Sequence, residues 1–503
     1  MTDTRVNRLA ASDRNMEIHM MLRWFCSALV SLSFLAPALG QGQEEESEDS
    51  TKYEIQEVVS IGTRTVERMI DIPYSVFRVD KKELAYGKKI SARDVLADVP
   101  GLFLQSRYGN HDLKISLRGF GTRSNSGVRG VRILQDGIPE SEPDGETVVD
   151  DIDFTSLATV EVVKGNLSSL YANAPGGVIN FVTDLYFPRS FAAILGQAGK
   201  YGYRLSGIKV GLENLSNRML FTYNYSNHNG YRAHSAEYQH LVNALYETYP
   251  GQNTTLTVLG NYMRGLNKLP GSLTREEFTA DPFQANPLAI SQDFKRVTSK
   301  GRLGIRYRTR FGETESNELE ITSYGGIKEL EGADNLVYRF TTRYSLGTML
   351  GFTHRSRIFD DRNNVLTVGM DYAFQAGPVT EFENINGVKG ASVENEYYES
   401  LSNIGFYLLD RVELVTDRLD LFLSGRLDRN SFTRDIWIPF GFTDTTRAFR
   451  KFAPKVGLNY KLTHSIALYT SYGLSYDFPA LSEMANTPLS SAPQYSINPD
   501  LGP

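Results

Sequence analysis

The sequence predicts an all-β fold, an antiparallel transmembrane barrel that follows a smaller α+β domain at its N-terminal side. Beyond residue 184, short segments alternate polar and apolar side chains with a period of two, as strands between lipid and a wet lumen do. Residues that suit strands and turns are plentiful, with 28 Tyr, 27 Phe and 43 Gly. No apolar run reaches the roughly 20 residues of a membrane-spanning helix, which excludes a helical membrane protein.

The charge balance and the cysteine count exclude several functional classes. The 503 residues include 53 Lys and Arg against 59 Asp and Glu, a formal net charge of −6. Nucleic-acid-binding proteins usually carry a basic excess, so we expect no nucleic-acid partner. Cys26 is the only cysteine and lies in the predicted leader, so the mature chain has no disulfide, thiolate nucleophile or Cys-ligated metal.

Residues 1–40 are predicted to be a secretory signal peptide. Arg23 precedes an apolar stretch, residues 24–39, which ends in small residues at Gly40. The stretch is too short to stay in a bilayer as an anchor. Residues 41–52 are strongly acidic and are predicted to form a flexible lead.

Residues 53–184 are predicted to form a compact α+β domain. Ser91 is a good helix N-cap and Pro100 a stop signal, which predicts a short helix over residues 91–99. Asp136 and Gly137 form the strongest short hairpin signal. Strand-like segments lie at residues 57–62, 75–79, 114–117, 131–135, 159–163 and 178–182.

Seven motifs in this domain resemble the plug domain of TonB-dependent outer-membrane receptors. In order, they are residues 58–64, 94–101, 115–121, 135–139, 160–165, 170–171 and 176–180. One such motif would be weak, whereas seven in the right order and spacing are specific. Residues 127–145 are similar to the ferric-citrate-receptor-like branch of that family.

The resemblance implies a plug that occupies the lumen of the barrel and a receptor driven by the inner-membrane protein TonB. In that family, TonB pairs by β-strand addition with a short N-terminal segment, the TonB box. The corresponding residues here are Ile55, Gln56, Glu57, Val58, Val59 and Ser60. The alternative is that this segment is the first strand of the plug and has no partner.

The resemblance also implies an ionic lock, in which plug arginines pair with glutamates of the barrel wall. The residues expected to contribute are Arg118, Arg129, Glu161, Lys164, Glu318 and Glu320. An arginine is costly to bury without a carboxylate. Lys164 stands where the family usually has arginine, and it keeps the charge but lacks the planar fork. The alternative is a solvated surface with weak ion pairs.

Residues 185–503 are predicted to form the barrel. Phe221, Tyr223 and Tyr225 share one face of a strand, and Val456, Leu458 and Tyr460 share a face of another. The connections at residues 214–217, 250–253 and 462–465 are short, as periplasmic turns are, whereas those at 230–237, 266–293 and 381–396 are expected to be long extracellular loops. Thr274 and Glu277 form a capping box, which predicts a helical turn in the second long loop.

The strand count is lower than that of a complete receptor. About 13 strands fit between residues 191 and 478, whereas plugged transporters of this kind have 22-stranded barrels. The sequence therefore predicts a partial barrel, truncated at its C-terminal side, which is monomeric and surrounded by outer-membrane lipid when full length.

The expected function is TonB-dependent active transport of a scarce solute across the bacterial outer membrane. The resemblance favours a ferric siderophore or a ferric citrate-type chelate. Arg107, Tyr108 and Arg123 lie in the predicted apical loops and could meet an anionic chelate through charge and aromatic contacts. A local acidic cluster that includes Glu140 and Glu142 fits a cation better, and solvated loop charges are the other interpretation.

Other functions stay open as alternatives. They are transport of a non-iron substrate such as another metal chelate, cobalamin or a sugar, a passive outer-membrane channel, and an adhesin. No nucleophile–base set, phosphate-binding loop or dinucleotide fingerprint occurs in the sequence. We therefore expect no enzymatic activity, no cofactor and no resident metal.

Overall fold

The computed structural model describes residues 59–60, 64–65, 67–110, 112–122, 127–359, 362–438, 445–484 and 502. The predicted signal peptide, the acidic lead, residues 55–58 and Arg123 lie outside these residues. The chain divides into two compact units, Met1–Gln56 and Glu57–Pro503, and the described residues belong to the second.

The N-terminal part of the described chain, residues 59–184, is called the plug below. Its strands are β1 (Val59–Ser60), β2 (Glu67–Arg68), β3 (Ser75–Val79), β4 (Leu102–Tyr108), β5 (Asp112–Leu117), β6 (Val131–Gln135), β7 (Ile138–Pro139), β8 (Leu157–Lys164) and β9 (Gly177–Thr183). Its helices are α1 (Lys81–Tyr86) and α2 (Ala92–Leu96). Five strands form one sheet in the order β3-β8-β9-β6-β7, while β4 and β5 form a separate hairpin.

Local sequence signals explain most of these elements. A capping box of Ser91 and Asp94 starts α2, as the sequence predicts. Asp136 and Gly137 adopt positive φ values of 52° and 78° and form the predicted turn between β6 and β7. Helix α1 was not predicted. It begins with a second capping box, formed by Asp80 and Glu83.

The plug sheet has two apolar faces with different neighbours. Val160 and Val162 of β8 point into the core of the plug itself, together with Phe181 of β9. Val163 and Val178 point the other way and pack with side chains of the C-terminal sheet, including Tyr407, Leu409 and Phe422. The plug therefore has its own core and also lies against one face of the C-terminal sheet.

The C-terminal sheet, called the wall below, has 13 antiparallel strands in sequence order. This agrees with the predicted count. The strands are β10 (Phe191–Ala198), β11 (Arg204–Glu213), β12 (Asn217–His228), β13 (Glu237–Gly251), β14 (Thr254–Lys268), β15 (Lys295–Phe311), β16 (Asn317–Ala333), β17 (Val337–Ile358), β18 (Arg362–Ile385), β19 (Val388–Val415), β20 (Leu419–Ile438), β21 (Thr445–Thr463) and β22 (Ile466–Gly473).

The two faces of the wall follow the predicted alternation. Thr222 and Asn224 are buried against the plug, where both bind the carboxylate of Asp153. Phe221 and Tyr223 of the same strand point away from the plug. On β21, Val456, Leu458 and Tyr460 are exposed on that outer face, which is therefore the apolar one.

The connections distinguish the two ends of the wall. One end of the wall is called the inner end below. There, connections of two to five residues join the strands, for example residues 214–216, 252–253 and 464–465. At the outer end, residues 269–294 form the longest connection and carry α3 (Arg275–Ala280) and α4 (Pro287–Ser291). Thr274 and Glu277 cap α3, as their spacing predicts.

The long loop expected at residues 381–396 is absent, because β18 and β19 continue through it as a hairpin. Its two-residue turn consists of Asn386 and Gly387, which have positive φ values of 51° and 84°. Asn-Gly is a preferred sequence for a tight hairpin turn, and polar side chains on both faces suit strands that extend into water. The predicted loop was wrong because the polar side chains of residues 381–396 were taken to indicate a loop.

Candidate functional site at the interface between plug and wall

Ion pairs connect the plug to the inner end of the wall. Arg411 Nη1 lies 2.6 Å from Glu67 Oε2, and Lys461 Nζ lies 2.9 Å from Asp71 Oδ1. Burial alone would raise the pKa of Asp71, but hydrogen bonds from Arg68 and Lys461 outweigh it and hold the pKa below its usual value. The inner end of the interface thus joins plug carboxylates to cations of the wall.

A second group of charges lies midway along the wall and centres on Arg64. Its guanidinium donates to Asp371 Oδ2 at 2.5 Å and to the carbonyl oxygen of Leu170 at 3.0 Å. The rings of Tyr171 and Tyr407 flank it, with centroids 3.9 and 4.7 Å from its central carbon. Planar stacking and a charged hydrogen bond together hold this arginine in one place. We call this arrangement the Arg64 clasp.

A third group lies towards the outer end, where the loop after β7 meets β15. Arg302 Nη1 lies 2.7 Å from Glu140 Oε2, and Lys300 Nζ lies 3.0 Å from Asp151 Oδ2 and also contacts Glu140. Burial raises the pKa of Glu140 to about 7; Arg302 and Lys300 oppose the shift, and the charge of Asp151 adds to it.

Glu142 extends this outer group to β16 and β18 of the wall. It accepts hydrogen bonds from Lys328 at 2.7 Å and from Gln375 at 2.8 Å. Burial would raise its pKa, but Lys328 outweighs burial and brings the pKa of Glu142 to about 2. A cavity of about 50 Å³, lined also by Arg343, lies beside these residues. That volume accommodates a few water molecules.

Arg129, one of the six predicted lock residues, makes buried ion pairs, and its partners are unexpected. It pairs with Asp477 at 3.3 Å and with Glu483, both in the segment that follows β22. Arg118 is exposed and has no ion-pair partner among the described residues.

The contacts described for the other predicted lock residues lie within the plug or within the wall. Glu161 accepts a 3.5 Å hydrogen bond from Asn180, and Lys164 Nζ lies 3.5 Å from the Pro100 carbonyl oxygen, both within the plug. Glu318 pairs with Arg310 and Arg355, both in the wall. Glu320 makes no ion pair with any described residue.

The polarity of the lock is thus mostly the reverse of the expected one. Carboxylates of the plug meet cations of the wall at Glu67, Asp71, Glu140, Glu142 and Asp151. A sequence signal was present, because arginine and lysine recur at alternate positions of β15. Such cations on the lumenal face need partners, and the plug is the nearest source.

Two of the three predicted ligand residues, Arg107 and Tyr108, belong to a hairpin whose tip reaches the outer end of the wall. Arg107 and Tyr108 end β4, but their side chains lie outside the described residues, as does Arg123. At the tip of this hairpin, the Asn110 backbone N–H donates to Glu237 Oε2 at 3.1 Å. Because Glu237 begins β13, the tip of the hairpin reaches the outer end.

Two residues of the predicted TonB box are described. Val59 pairs with Arg68, and Ser60 with Glu67, so this part of the box forms a two-residue antiparallel ladder with β2. The alternative of a first plug strand fits this pairing, but a ladder of two residues is a weak attachment.

Comparisons with known proteins agree with this architecture. The family described as "TonB-dependent Receptor Plug Domain" matches residues 68–178, and "TonB dependent receptor-like, beta-barrel" matches residues 171–503. A curated relative from Yersinia enterocolitica, described as "Hemin receptor", is 27% identical over 172 residues, which are 33% of this chain and 24% of that protein.

Solved structures share the fold. The ferric citrate transporter FecA in its unliganded form matches with a TM-score of 0.70 and 17% identity, over 80% of this chain and 63% of that one. The ferric preacinetobactin receptor BauA of Acinetobacter baumannii matches with a TM-score of 0.67 and 15% identity, over 82% and 65% of the two chains. The chain thus spans less than two thirds of the length of these receptors.

None of the helices in the described part of the chain has the length and apolar character that a membrane crossing requires.

The two family matches cover both parts of the described chain, the plug and the wall that contacts it. Receptors of this family lie in the bacterial outer membrane, and this is the location of the chain. The chain belongs to the TonB-dependent receptor family.

Proposed function

We propose that the chain acts in the TonB-driven import of a ferric chelate, a siderophore or citrate complex, across the outer membrane. The observation that supports this most is the charged attachment of the plug to the wall at its inner end, midway and near its outer end. Breaking a single buried ion pair costs about 3–5 kcal/mol. Opening a path past the plug therefore needs work, which disfavours a passive channel.

TonB is the proposed source of that work, and residues 55–60 are its proposed binding segment. A pull on this segment acts first on the two-residue pairing of β1 with β2. It then acts on Arg64, which lies four residues beyond Ser60 and is held by Asp371. A partner that pairs by strand addition would thus pull directly on a contact between plug and wall.

The names of the similar proteins favour an iron-containing solute, since they cover ferric citrate, ferric preacinetobactin and hemin. Arg107, Tyr108 and Arg123 remain the proposed ligand contacts at the outer side. Other metal chelates, cobalamin and sugars are the alternative solutes.

The proposal is tested in cells that lack their own iron-uptake receptors and express the full-length gene. Uptake and surface binding of labelled ferric citrate, a ferric siderophore and hemin are measured for the unmodified protein and for a variant without residues 55–60. Removal of residues 44–49, which shortens the acidic lead by the same six residues, is the control.

The unmodified protein and the control should import at least one of these solutes. The variant without residues 55–60 should bind that solute and fail to import it. Import at the normal rate by this variant would show that energy coupling through the segment is wrong. Failure of the unmodified protein to import any of the three would contradict the proposed substrate class.

A further inference from the structure

Strand β15 presents a series of cationic side chains on the face that looks towards the plug. Its even-numbered positions share one face, since side chains of a strand alternate. That face includes no carboxylate within the strand and is interrupted only by Thr298 and Gly304. We call its cations the basic ladder: Arg296, Lys300, Arg302, Arg306, Arg308 and Arg310.

Contacts with the plug show that this face of β15 points towards the plug. Lys300 and Arg302 pair with plug carboxylates, as described above. Arg306 Nη1 donates to the carbonyl oxygen of Asp136 in the plug at 2.6 Å. At the inner end, Arg310 pairs with Glu318 of the neighbouring strand.

The two strands beside β15 carry no such series of cations. On β14 the corresponding face carries neutral side chains, among them Thr257, Leu259, Asn261 and Met263. On β16 the carboxylates Glu318 and Glu320 are confined to the inner end of that face. From residue 296 to residue 310 the ladder runs roughly 47 Å along the strand, longer than the roughly 30 Å thickness of the hydrocarbon core.

The plug supplies anionic and carbonyl oxygen atoms to this ladder while it is seated. Glu140 and Asp151 contact the cations nearer the outer end, and the carbonyl oxygens of Pro139 and Asp136 contact Arg302 and Arg306. When the plug moves, these cations lose their partners. A series of cations along one wall of a lumen attracts anions and raises their local concentration there.

We propose that the basic ladder is the path by which a solute of net negative charge crosses the wall after the plug has been displaced. This inference rests on the proposed import function and adds a substrate class to it, an anionic chelate. The seated plug then resembles the solute chemically, because both offer oxygen anions to the same cations. Cationic solutes are repelled by the unpaired cations of the ladder once the plug has moved.

A thiol reporter beside the ladder tests this inference. Thr322 is paired with Arg306 across β15 and β16, is 1% exposed, and its hydroxyl makes no hydrogen bond. Thr322→Cys, combined with Cys26→Ser, therefore places a single shielded thiol next to the ladder. Cells that express the full-length gene and are given the imported solute are treated with an anionic or a cationic methanethiosulfonate reagent. The ratio of the two labelling rates is measured.

The inference predicts that the anionic reagent labels the thiol about tenfold faster than the cationic one, relative to a free thiol. Arg306→Gln with Arg308→Gln should remove most of this preference. Arg264→Gln, an exposed position on the opposite face of β14, is the matched control and should keep it. In the unaltered ladder, higher ionic strength should also reduce the preference, which tests the inference without the paired variant.

The inference about the ladder would be overturned if the thiol were labelled without charge preference. It would also be overturned if the preference survived both the paired substitution and high salt. Either result would leave the import proposal standing. Absence of any labelling in energised, solute-supplied cells would show that the plug does not leave the wall. That result would overturn the proposed function, and the ladder inference with it.

Discussion

Arg64 of the plug donates a 2.5 Å hydrogen bond to Asp371 of the wall, and the same carboxylate oxygen accepts a hydrogen bond from Arg426 at 2.6 Å. The carboxylate of Asp371 is thus shared between a cation of the plug and a cation of the wall. Arg426 also pairs with Asp428. The Arg64 clasp is thus part of a buried network that holds the N-terminal segment of the plug.

Asp371→Asn should release the segment around Arg64. The variant leaves a buried guanidinium without its charged partner, which costs about 3–5 kcal/mol. If the segment opens locally, hydrogen-exchange protection of its amides should fall by about two to three orders of magnitude. Mass-spectrometric hydrogen exchange over residues 64–72 measures the effect.

Asp98→Asn provides the control, because Asp98 is an exposed carboxylate of the plug with no ion pair to a described residue. It should leave the protection unchanged. Equal protection in Asp371→Asn and the unmodified protein would show that the clasp does not hold the segment.

The pair of Glu142 and Lys328 should make the seating of the plug sensitive to acid. Lys328 outweighs burial and lowers the pKa of Glu142 from 4.5 to about 2. A carboxylate with a lowered pKa stabilises the folded state fully above its unfolded pKa and loses this contribution as the pH falls towards the folded value. The window here is therefore about pH 5 down to about pH 2.

Urea unfolding of the unmodified protein and of Glu142→Gln at a series of pH values measures this effect. The difference between their midpoints should be constant from pH 8 to 5 and shrink below pH 5. Glu394→Gln, at an exposed position of β19, should show no pH-dependent difference. A constant difference down to pH 3 for Glu142→Gln would argue against the ion pair.

Gly304 interrupts the basic ladder because a plug side chain occupies the space beside it. A Cβ atom at this position would lie 2.6 Å from Cδ1 and 3.3 Å from Cγ2 of Ile138, which is fully buried. Gly304→Ala should destabilise the seated plug by about 1–3 kcal/mol through overpacking. The free energy of unfolding in urea measures the cost.

Ile138→Val removes the clashing Cδ1 atom and should recover part of the stability in the double variant, so the two substitutions are coupled. Gly301→Ala is the control on the same strand, because its added Cβ would meet Tyr262 at 3.6 Å and the Asn261 carbonyl oxygen at 4.0 Å, both ordinary contact distances. Additive effects of Gly304→Ala and Ile138→Val would show that the plug does not contact the wall here.

Local patterns predicted most of the elements, although not α1 or the hairpin at residues 381–396, but they could not predict the pairing between plug and wall. The α2 cap at Ser91, the turn at Asp136 and the faces of β12 depend on residues a few positions apart, where propensity and alternation apply. Arg64 and Asp371, in contrast, are 307 positions apart. Their meeting depends on how the plug is rotated within the wall, which no local pattern encodes.

Resemblance helped with the architecture and misled on the polarity of the lock. Arg129 pairs with carboxylates of the segment after β22 and not of the wall, and Glu318 binds arginines of its own wall. The basic alternation of β15, which was not used as a prediction, marks where carboxylates of the plug are needed, and Glu140 supplies one of them. Charge on the lumenal face of a strand was the informative signal.

The most direct measurement covalently fixes the plug to the wall. Ser169 of the plug and Ser424 of β20 are joined by a 2.8 Å hydrogen bond between their hydroxyl oxygens, so conversion of both to cysteine places one thiol of the plug beside one thiol of the wall. With Cys26→Ser, the chain then has two thiols, and uptake of the imported solute is measured before and after reduction.

The account predicts that Ser169→Cys with Ser424→Cys forms the cross-link under oxidising conditions, that the oxidised protein binds solute without importing it, and that reduction restores import. Either single cysteine should import normally. Failure of the pair to cross-link, or normal import by the fully cross-linked protein, would contradict a plug that sits against this wall and has to move for solute to pass.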